Sequence, residues 1–294
     1  MTKNIERIIP QPLAPGMVGD GFRVYNYIPG GDNPATSVPQ QRISPFLLLD
    51  FAAEVDFAPS NRARGVGVHP HKGFETVTIA YKGSVAHHDS AGNSGVVHPG
   101  DVQWMTAGAG ILHKEYHEEN YSKKGGPFEM VQLWVNLPKK DKLTKPHYQA
   151  ITADQVTKLV LENNQGQVNV IAGTVNGTTG PAQTYTPVIA ANLDLNTGAQ
   201  FTTATPSGYN TALLVIKGSV EVNGQSAPNH SFVLFANEGE EINITATESA
   251  TLLLLSGEPI NEPIAAYGPF VMNTKEELIQ SIHEAQSGKF GTLK

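Results

Sequence analysis

The chain has 294 residues, of which 39% are hydrophobic and 16% charged, so it is long enough for a large core or two domains and is not a disordered protein. Its net charge of −7 argues against direct nucleic-acid binding, and its lack of cysteine excludes disulfides, thiolate nucleophiles and cysteine-ligated zinc. Because Met1–Arg7 has no signal-peptide core and no apolar run approaches the ~20 residues that span a bilayer, we expect a cytoplasmic protein without membrane contact.

Short β-branched and apolar segments, separated by glycine, proline and asparagine, run through most of the sequence. They predict strands at residues 21–29, 46–51, 75–81, 84–90, 102–105, 130–137, 168–175, 187–195, 212–223, 231–236, 241–245 and 251–256. Residues 30–34, rich in glycine, predict a loop. This density of short strands and turns is typical of a sandwich or barrel.

A change of composition at residues 138–148, which are charged and bounded by prolines, predicts a linker between domains 1–138 and 139–294. A short repeat supports two related halves, because Lys82-Gly83-Ser84-Val85 recurs as Lys217-Gly218-Ser219-Val220 after a second apolar strand. Only the first half carries pairs of candidate metal ligands.

The C-terminal segment has a helical pattern instead. Thr274 and Glu277 have the spacing of a capping box, apolar residues recur with helical periodicity over 276–286, and Gly288 is expected to end the helix.

Two pairs of candidate ligands stand out in the first half. His69 and His71 are two residues apart, as are His113 and Glu115. Alternate side chains of a strand lie on the same face, so two such pairs on neighbouring strands predict a metal site with three imidazoles and one carboxylate. Such ligands suit Fe(II), Mn(II), Ni(II), Cu(II) or Zn(II), although four ligands around tetrahedral zinc would make a closed, structural site.

Nearby polar residues have other expected roles. Glu75 could be a ligand, a residue that orients an imidazole from outside the ligand set, or a cross-strand hydrogen-bonding group, and we favour the second of these roles. His117 is more often structural than a ligand at such a position. His87 and His88 are adjacent and must point to opposite faces of a strand, so they cannot both face one ion. Asp50 is interpreted as a carboxylate hydrogen-bonded at the end of its strand.

These motifs resemble those of the cupin superfamily, and more closely those of the pirin family. The carrying segments are Gly67-x-His69-x-His71-x-x-x-Glu75, Gly100-Asp101 through Gly110 to His113-Lys114-Glu115, Gln132-Leu133-Trp134-Val135-Asn136-Leu137-Pro138, and residues 262–273. The resemblance covers nearly the whole chain. It implies a mostly β protein with two tandem cupin (jelly-roll) barrels and a C-terminal helix, with metal only in the N-terminal domain.

The resemblance also assigns ligand roles to His69, His71, His113 and Glu115, with Fe(II) as the expected metal. It implies a quercetin 2,3-dioxygenase-like activity, in which O₂ opens the central ring of a flavonol. Glu115 would then also act as the catalytic base. We expect an apolar substrate pocket near Phe74, Met105 and residues 56–66.

Other members of the family act as regulators that bind transcription factors or metabolic enzymes, with the iron oxidation state as the switch. This alternative predicts a charged surface patch that includes Arg62, Arg64 or Lys139–Lys145. A third alternative is that the metal only holds the barrel together.

Overall fold

The structure is a computed structural model that describes residues 1–31 and 33–293. Asp32, in the predicted loop at 30–34, and Lys294 lie outside the described residues. Strands dominate, as the sequence predicts. Within the described ranges, we find no helix with the length and apolar character required to cross a membrane.

The strands of the first half are β1 (Ile5–Ile9), β2 (Gly16–Val18), β3 (Phe22–Ile28), β4 (Phe46–Phe57), β5 (Gly65–His71), β6 (Phe74–Lys82), β7 (Val85–Asp89), β8 (Ser94–Val97), β9 (Val102–Thr106), β10 (Ile111–His117), β11 (Gly126–Asn136) and β12 (His147–Ile151). Those of the second half are β13 (Thr157–Leu161), β14 (Gly166–Ala172), β15 (Thr174–Val175), β16 (Thr178–Thr179), β17 (Val188–Leu195), β18 (Gln200–Ala204), β19 (Asn210–Lys217), β20 (Val220–Val222), β21 (Gln225–Ala227), β22 (Phe232–Phe235), β23 (Glu241–Ala246), β24 (Ala250–Gly257), β25 (Ala265–Tyr267) and β26 (Phe270–Met272). The helices are α1 (Glu119–Lys124) and α2 (Lys275–Gln286), with short 3-10 turns at Lys139–Asp141 and Glu162–Asn164.

One compact unit, here called the histidine unit, is formed by Ala14–Pro29, Phe46–Ala153 and Ile260–Lys294. It contains an antiparallel sheet in the order β12-β9-β6-β11-β4-β3-β2 and a second sheet in the order β5-β10-β7-β8. Strand β10 alternates strictly between buried and less buried residues, because one side of its sheet faces the interior. Strands β6 and β9 are buried almost throughout. This two-sheet arrangement is that of a jelly roll.

The other unit, called the companion unit, is formed by Met1–Leu13, Gly30–Pro45 and Asp154–Pro259. Its large sheet has the order β1-β22-β19-β24-β17-β14-β13, and its smaller sheet the order β18-β23-β20-β21. Apolar side chains fill its interior, among them Leu213, Phe235 and Leu252. The fold is therefore mostly β with two barrels, as predicted.

These units are divided differently from the single boundary predicted after residue 138. The segment 138–148 is not a linker between them, because β12 follows it and pairs with β9 inside the histidine unit. At the other end, β1 pairs with β22 of the companion unit, although it lies at the start of the chain. The first residues of the chain therefore belong to the companion unit and the last residues to the histidine unit. Strand pairing between residues far apart in sequence causes this division, and a change of composition does not reveal it.

The predicted internal repeat corresponds to equivalent positions in the two large sheets. Lys82-Gly83-Ser84-Val85 connects β6 to β7, and Lys217-Gly218-Ser219-Val220 connects β19 to β20. Gly83 has a φ of 74° and Gly218 a φ of 79°, the left-handed region that glycine adopts without strain.

The C-terminal helix agrees with its sequence signals. Thr274 accepts a hydrogen bond from the Glu277 amide, and the Glu277 side chain completes the capping box. The sequence reading did not predict α1, a short helix that Glu118 caps by accepting from the Tyr121 amide.

Candidate metal centre

The two histidine segments form neighbouring antiparallel strands of the histidine unit. In the pairing of β5 with β10, His69 lies opposite His113 and His71 lies opposite Ile111. The strand geometry brings the imidazoles of His69, His71 and His113 together, and one ligand atom from each lies within 4.8 Å of the others. Three of the four predicted ligands therefore form one cluster.

The imidazole nitrogens in this cluster are suited to a metal. Nδ1 of His69 lies 2.8 Å from the Gly67 carbonyl and donates to it, which leaves Nε2 as the free lone pair. Across residues 1–31 and 33–293, Nδ1 of His71 and both ring nitrogens of His113 are buried without a hydrogen-bond partner. Buried polar atoms without partners are costly, and a divalent ion would satisfy one nitrogen of each ring.

Electrostatics keeps the same rings neutral. Burial lowers the pKa of His69, and it lowers the pKa values of His71 and His113 well below the usual range, with the neighbouring imidazoles adding to the effect. Neutral imidazole is the form that binds metal. The three-histidine group thus supports a single metal ion.

Glu115 follows on the same face of β10, where its Oε2 lies 3.9 Å from Nε2 of His113. Its Oε1 lies 3.3 Å from the Thr78 hydroxyl, whose single proton is shared between this oxygen and Oε1 of Gln132 at 2.8 Å. Burial raises the pKa of Glu115 to about 7. The carboxylate adjoins the histidine cluster, and its role as a fourth ligand stays a prediction.

Glu75 does not orient an imidazole. It alternates with Phe74 and Thr76 on β6, so it lies on the other face of the sheet, where it accepts a 2.8 Å hydrogen bond across the strands from Thr106. Burial raises the pKa of Glu75 to about 7. His117 is structural, since its Nε2 bonds to the Gly21 carbonyl at 2.8 Å.

The adjacent histidines lie on opposite faces of β7, as predicted. His87 is buried and stacks on Tyr148 with ring centroids 5.1 Å apart. His88 stacks on Tyr116, whose hydroxyl lies 3.0 Å from its Nδ1.

A cavity of ≈ 360 Å³ opens onto the cluster. Strands β3, β4, β5 and β11 supply most of its wall. Its lining residues are Val18, Phe22, Val24, Leu48, Asp50, Val66, His69, His71, Glu115, Met130, Gln132, Trp134, Gly268 and Pro269. The predicted location was right only at Val66, the last residue of 56–66, because neither Phe74 nor Met105 is among the lining residues. Phe74 packs behind Trp134 with ring centroids 4.3 Å apart, and Met105 packs against Ala107 and Ile111.

The sequence reading missed two polar residues of the cavity wall, Asp50 and Gln132. Asp50 accepts a hydrogen bond of 2.7 Å from Asn26, as its interpretation required, but it lies inside β4 and not at its end. Its carboxyl is buried, which raises its pKa. The available signal was alternation, since Leu48 and Asp50 share one face of a strand and Met130, Gln132 and Trp134 share one face of another.

Comparisons with known proteins agree with this architecture. The model of the pirin domain matches residues 22–135, and that of the pirin C-terminal cupin domain matches residues 190–291. A Pseudomonas aeruginosa protein whose name assigns it provisionally to the quercetin 2,3-dioxygenases is 44% identical over 273 residues, which cover 93% of each chain. The chain belongs to the pirin family.

Two further relatives support the assignment. Pirin-like protein 2 of Arabidopsis thaliana is 38% identical over 261 residues, covering 86% of this chain and 77% of the relative. The crystal structure of a quercetin 2,3-dioxygenase from Acinetobacter baumannii superposes with a TM-score of 0.93 at 43% identity over 100% of both chains. The cupin architecture predicted from the resemblance is confirmed.

Metal-ligand groups are unevenly distributed in this pirin. Within the described part of the chain, His69, His71 and His113 form the only group of three candidate ligands. The interior of the companion unit is apolar instead. That only the N-terminal domain holds metal stays a prediction.

Proposed function

We propose that this pirin is a metal-dependent dioxygenase of the quercetin 2,3-dioxygenase type. The observation that carries the proposal is that the three-histidine cluster opens directly onto an apolar cavity. Its volume of ≈ 360 Å³ falls within the range of about 300–1,000 Å³ typical of small-molecule sites. The provisional names of its relatives support the same class of substrate, a flavonol.

We assign the ligand roles to His69, His71, His113 and Glu115, with Fe(II) as the metal. A donor set of imidazole and carboxylate without thiolate suits this ion, as well as Mn(II), Ni(II), Cu(II) or Zn(II). Bound there, the metal would supply Lewis acidity towards the hydroxyl and carbonyl oxygens of a flavonol and electron exchange with O₂.

The side chains around the cluster have separate roles in the proposed reaction. Glu115 takes the proton of the flavonol hydroxyl that faces the cluster, since its carboxylate lines the cavity beside the histidines. The Thr78 hydroxyl holds the Glu115 carboxylate in position. Phe22, Met130 and Trp134 provide an apolar wall that excludes water and packs against the rings of the substrate.

The test is anaerobic loading with Fe(II), followed by quercetin and O₂, while carbon monoxide and the flavonol absorbance are recorded. We expect turnover that is lost in His69→Ala and Glu115→Ala and kept in His98→Ala, because His98 is exposed and lies outside the cluster. No turnover with Fe(II), Ni(II), Mn(II) or Cu(II), despite stoichiometric metal binding, would contradict the dioxygenase proposal.

The second candidate is a regulator that binds a protein partner in response to the metal oxidation state. The observation in its favour is that large apolar side chains next to cavity-lining residues are exposed, with Met17 57%, Val68 44% and Tyr267 69% accessible. The predicted charged patch has less support, because Lys142 is buried and Arg62 pairs with Asp20. Faster or slower hydrogen exchange at these apolar residues in Fe(III) than in Fe(II) protein would favour the regulator.

A further inference from the structure

Two polar side chains interrupt the apolar wall of the cavity in the histidine unit. Asp50 on β4 lies directly opposite Gln132 on β11 in the sheet register. Both line the cavity, and Asp50 is only 9% exposed. Their neighbours along the same faces of the strands are Leu48, Met130 and Trp134. Polar groups at such positions are destabilising unless something bonds to them.

Each side chain is held on one side by a protein hydrogen bond. Asn26 donates to Oδ1 of Asp50 at 2.7 Å, and Thr78 donates to Oε1 of Gln132 at 2.8 Å. In the ranges that the structure describes, the other two atoms, Oδ2 of Asp50 and Nε2 of Gln132, have no protein hydrogen-bond partner. The wall therefore presents one acceptor and one donor side by side.

The pair belongs to a polar row that runs across the large sheet. Gln132 lies opposite Thr78 of β6 on one side and Asp50 of β4 on the other. Neighbouring strands are about 4.8 Å apart, so Asp50 lies roughly 10 Å across the sheet from Thr78. Thr78 in turn contacts Glu115. A ligand group at Asp50 is thus on a different ring from the oxygen that reaches the metal centre.

We propose that Asp50 and Gln132 form a specificity subsite for planar aromatic ligands that carry a second hydroxyl group remote from the metal-binding oxygens. Oδ2 of Asp50 accepts the hydroxyl proton, and Nε2 of Gln132 donates to the hydroxyl oxygen. The inference rests on the proposed function, because it takes an aromatic substrate in this cavity as given. A site built to bond a hydroxyl discriminates strongly against an analogue that lacks it, since its own polar atoms are then left unpaired.

The test is equilibrium binding to zinc-loaded protein without O₂, so that no turnover is required. The probes are quercetin and 3-hydroxyflavone, which shares the metal-binding oxygens but lacks the other hydroxyl groups. We expect the wild type to bind quercetin about 10- to 100-fold more tightly, the range for a hydrogen bond to a charged group. Asp50→Asn keeps the shape and turns the free acceptor into a donor, so quercetin should bind as weakly as 3-hydroxyflavone.

Two controls make the result specific. Glu54→Gln alters an exposed carboxylate on the same strand and should leave both dissociation constants unchanged. Asp50→Leu removes the polar group altogether and should give the same loss of discrimination as Asp50→Asn. Circular dichroism checks that both variants are folded. Equal effects of Asp50→Asn on both ligands, or none on either, would overturn the subsite.

The outcome is separable from that of the activity assay. Discrimination without carbon monoxide release would keep the subsite and reject the dioxygenase. If quercetin is turned over but Asp50→Asn does not change the ratio of the two dissociation constants, the dioxygenase is kept and the subsite is rejected. If folded wild type bound neither flavonol, both would be rejected.

Discussion

At the scale of single residues, a side chain of the site is oriented by a hydrogen-bond partner on the opposite sheet. Thr78 of β6 is the clearest case, because its hydroxyl lies between Gln132 in the cavity wall and Glu115, the proposed fourth ligand. Groups that orient metal ligands typically change metal affinity by about 10- to 100-fold when removed. The structure therefore makes Thr78 a positioning residue for Glu115.

We predict that Thr78→Val weakens Zn(II) binding by about tenfold and lowers the free energy of unfolding by about 1–2 kcal/mol. Metal competition titrations and urea unfolding measure the two effects. The matched control is Thr106→Val, which removes a similar buried hydroxyl bond, to Glu75, on the other face of the sheet. That variant should lose stability while its metal affinity stays unchanged; an equal loss of affinity in both would contradict the assignment.

At the scale of elements, the connection between β11 and β12 contains a buried lysine. Lys142 is 2% exposed, and its Nζ donates to the carbonyls of Gly73 and Val271 and to Oδ1 of Asn136 at 2.7–3.0 Å. Burial lowers its pKa to about 7, yet the three acceptors match the three protons of an ammonium group. This side chain joins three segments of the histidine unit.

We predict that Lys142→Met lowers the free energy of unfolding by about 1–3 kcal/mol, because it leaves three buried acceptors without donors. Lys140→Met, two residues earlier and exposed, should change it by less than about 0.5 kcal/mol. Chemical unfolding of both variants measures the difference. Equal stability of the two would show that water replaces the ammonium group.

Glu284 on helix α2 gives a prediction for how the stability of the fold depends on pH. Although burial raises the pKa of Glu284, hydrogen bonds from Lys289, Lys72 and Gln280 outweigh it and lower the pKa to about 2. A carboxyl group with a depressed folded pKa contributes stability above its unfolded pKa of 4.5, and that contribution is lost as the pH falls towards 2.

We therefore expect metal-free wild type to lose more stability between pH 6 and pH 3 than Glu284→Gln does. Urea midpoints of both proteins at the two pH values give the difference, in which the other carboxylates cancel. Glu276→Gln, at an exposed position of the same helix, should behave like the wild type. Parallel acid curves for Glu284→Gln and wild type would reject the linkage.

Local signals predicted the elements well and their assembly less well. The spacing of His69, His71 and His113 required only strand alternation, and the capping box at Thr274 is contained within four residues. The pairing of β1 with β22 and the cavity wall at Asp50 depend on partners far away in sequence. Alternation shows that Asp50 shares a face with Leu48, but not that this face borders a metal centre.

At the scale of the whole molecule, the two units differ in what fills their interiors. The three-histidine group lies in the histidine unit, and an apolar core fills the companion unit. Both tryptophans of the chain, Trp104 and Trp134, also belong to the histidine unit, so their fluorescence reports on that unit, whereas circular dichroism reports on both.

This placement separates a catalytic metal from one that only holds the barrel together. A ligand at 100 times its dissociation constant stabilises the folded state by about 2.7 kcal/mol, whereas a structural metal supplies folding free energy that the apo protein cannot replace. Large buried residues such as Phe51, Phe74 and Trp104 give the histidine unit a core of its own. We therefore expect removal of Zn(II) to lower the fluorescence-detected unfolding midpoint while the protein remains folded at 25 °C.

The measurement is thermal unfolding of zinc-loaded and chelator-treated protein, followed by both signals. His69→Ala is the control, because chelation should no longer shift its midpoint. Loss of the native tryptophan spectrum at 25 °C on chelation would instead show that the metal is structural, since the unit would then depend on binding energy for its fold. A midpoint that moves while the native spectrum persists leaves the metal free for chemistry, because the apolar core and not the ion maintains the barrel.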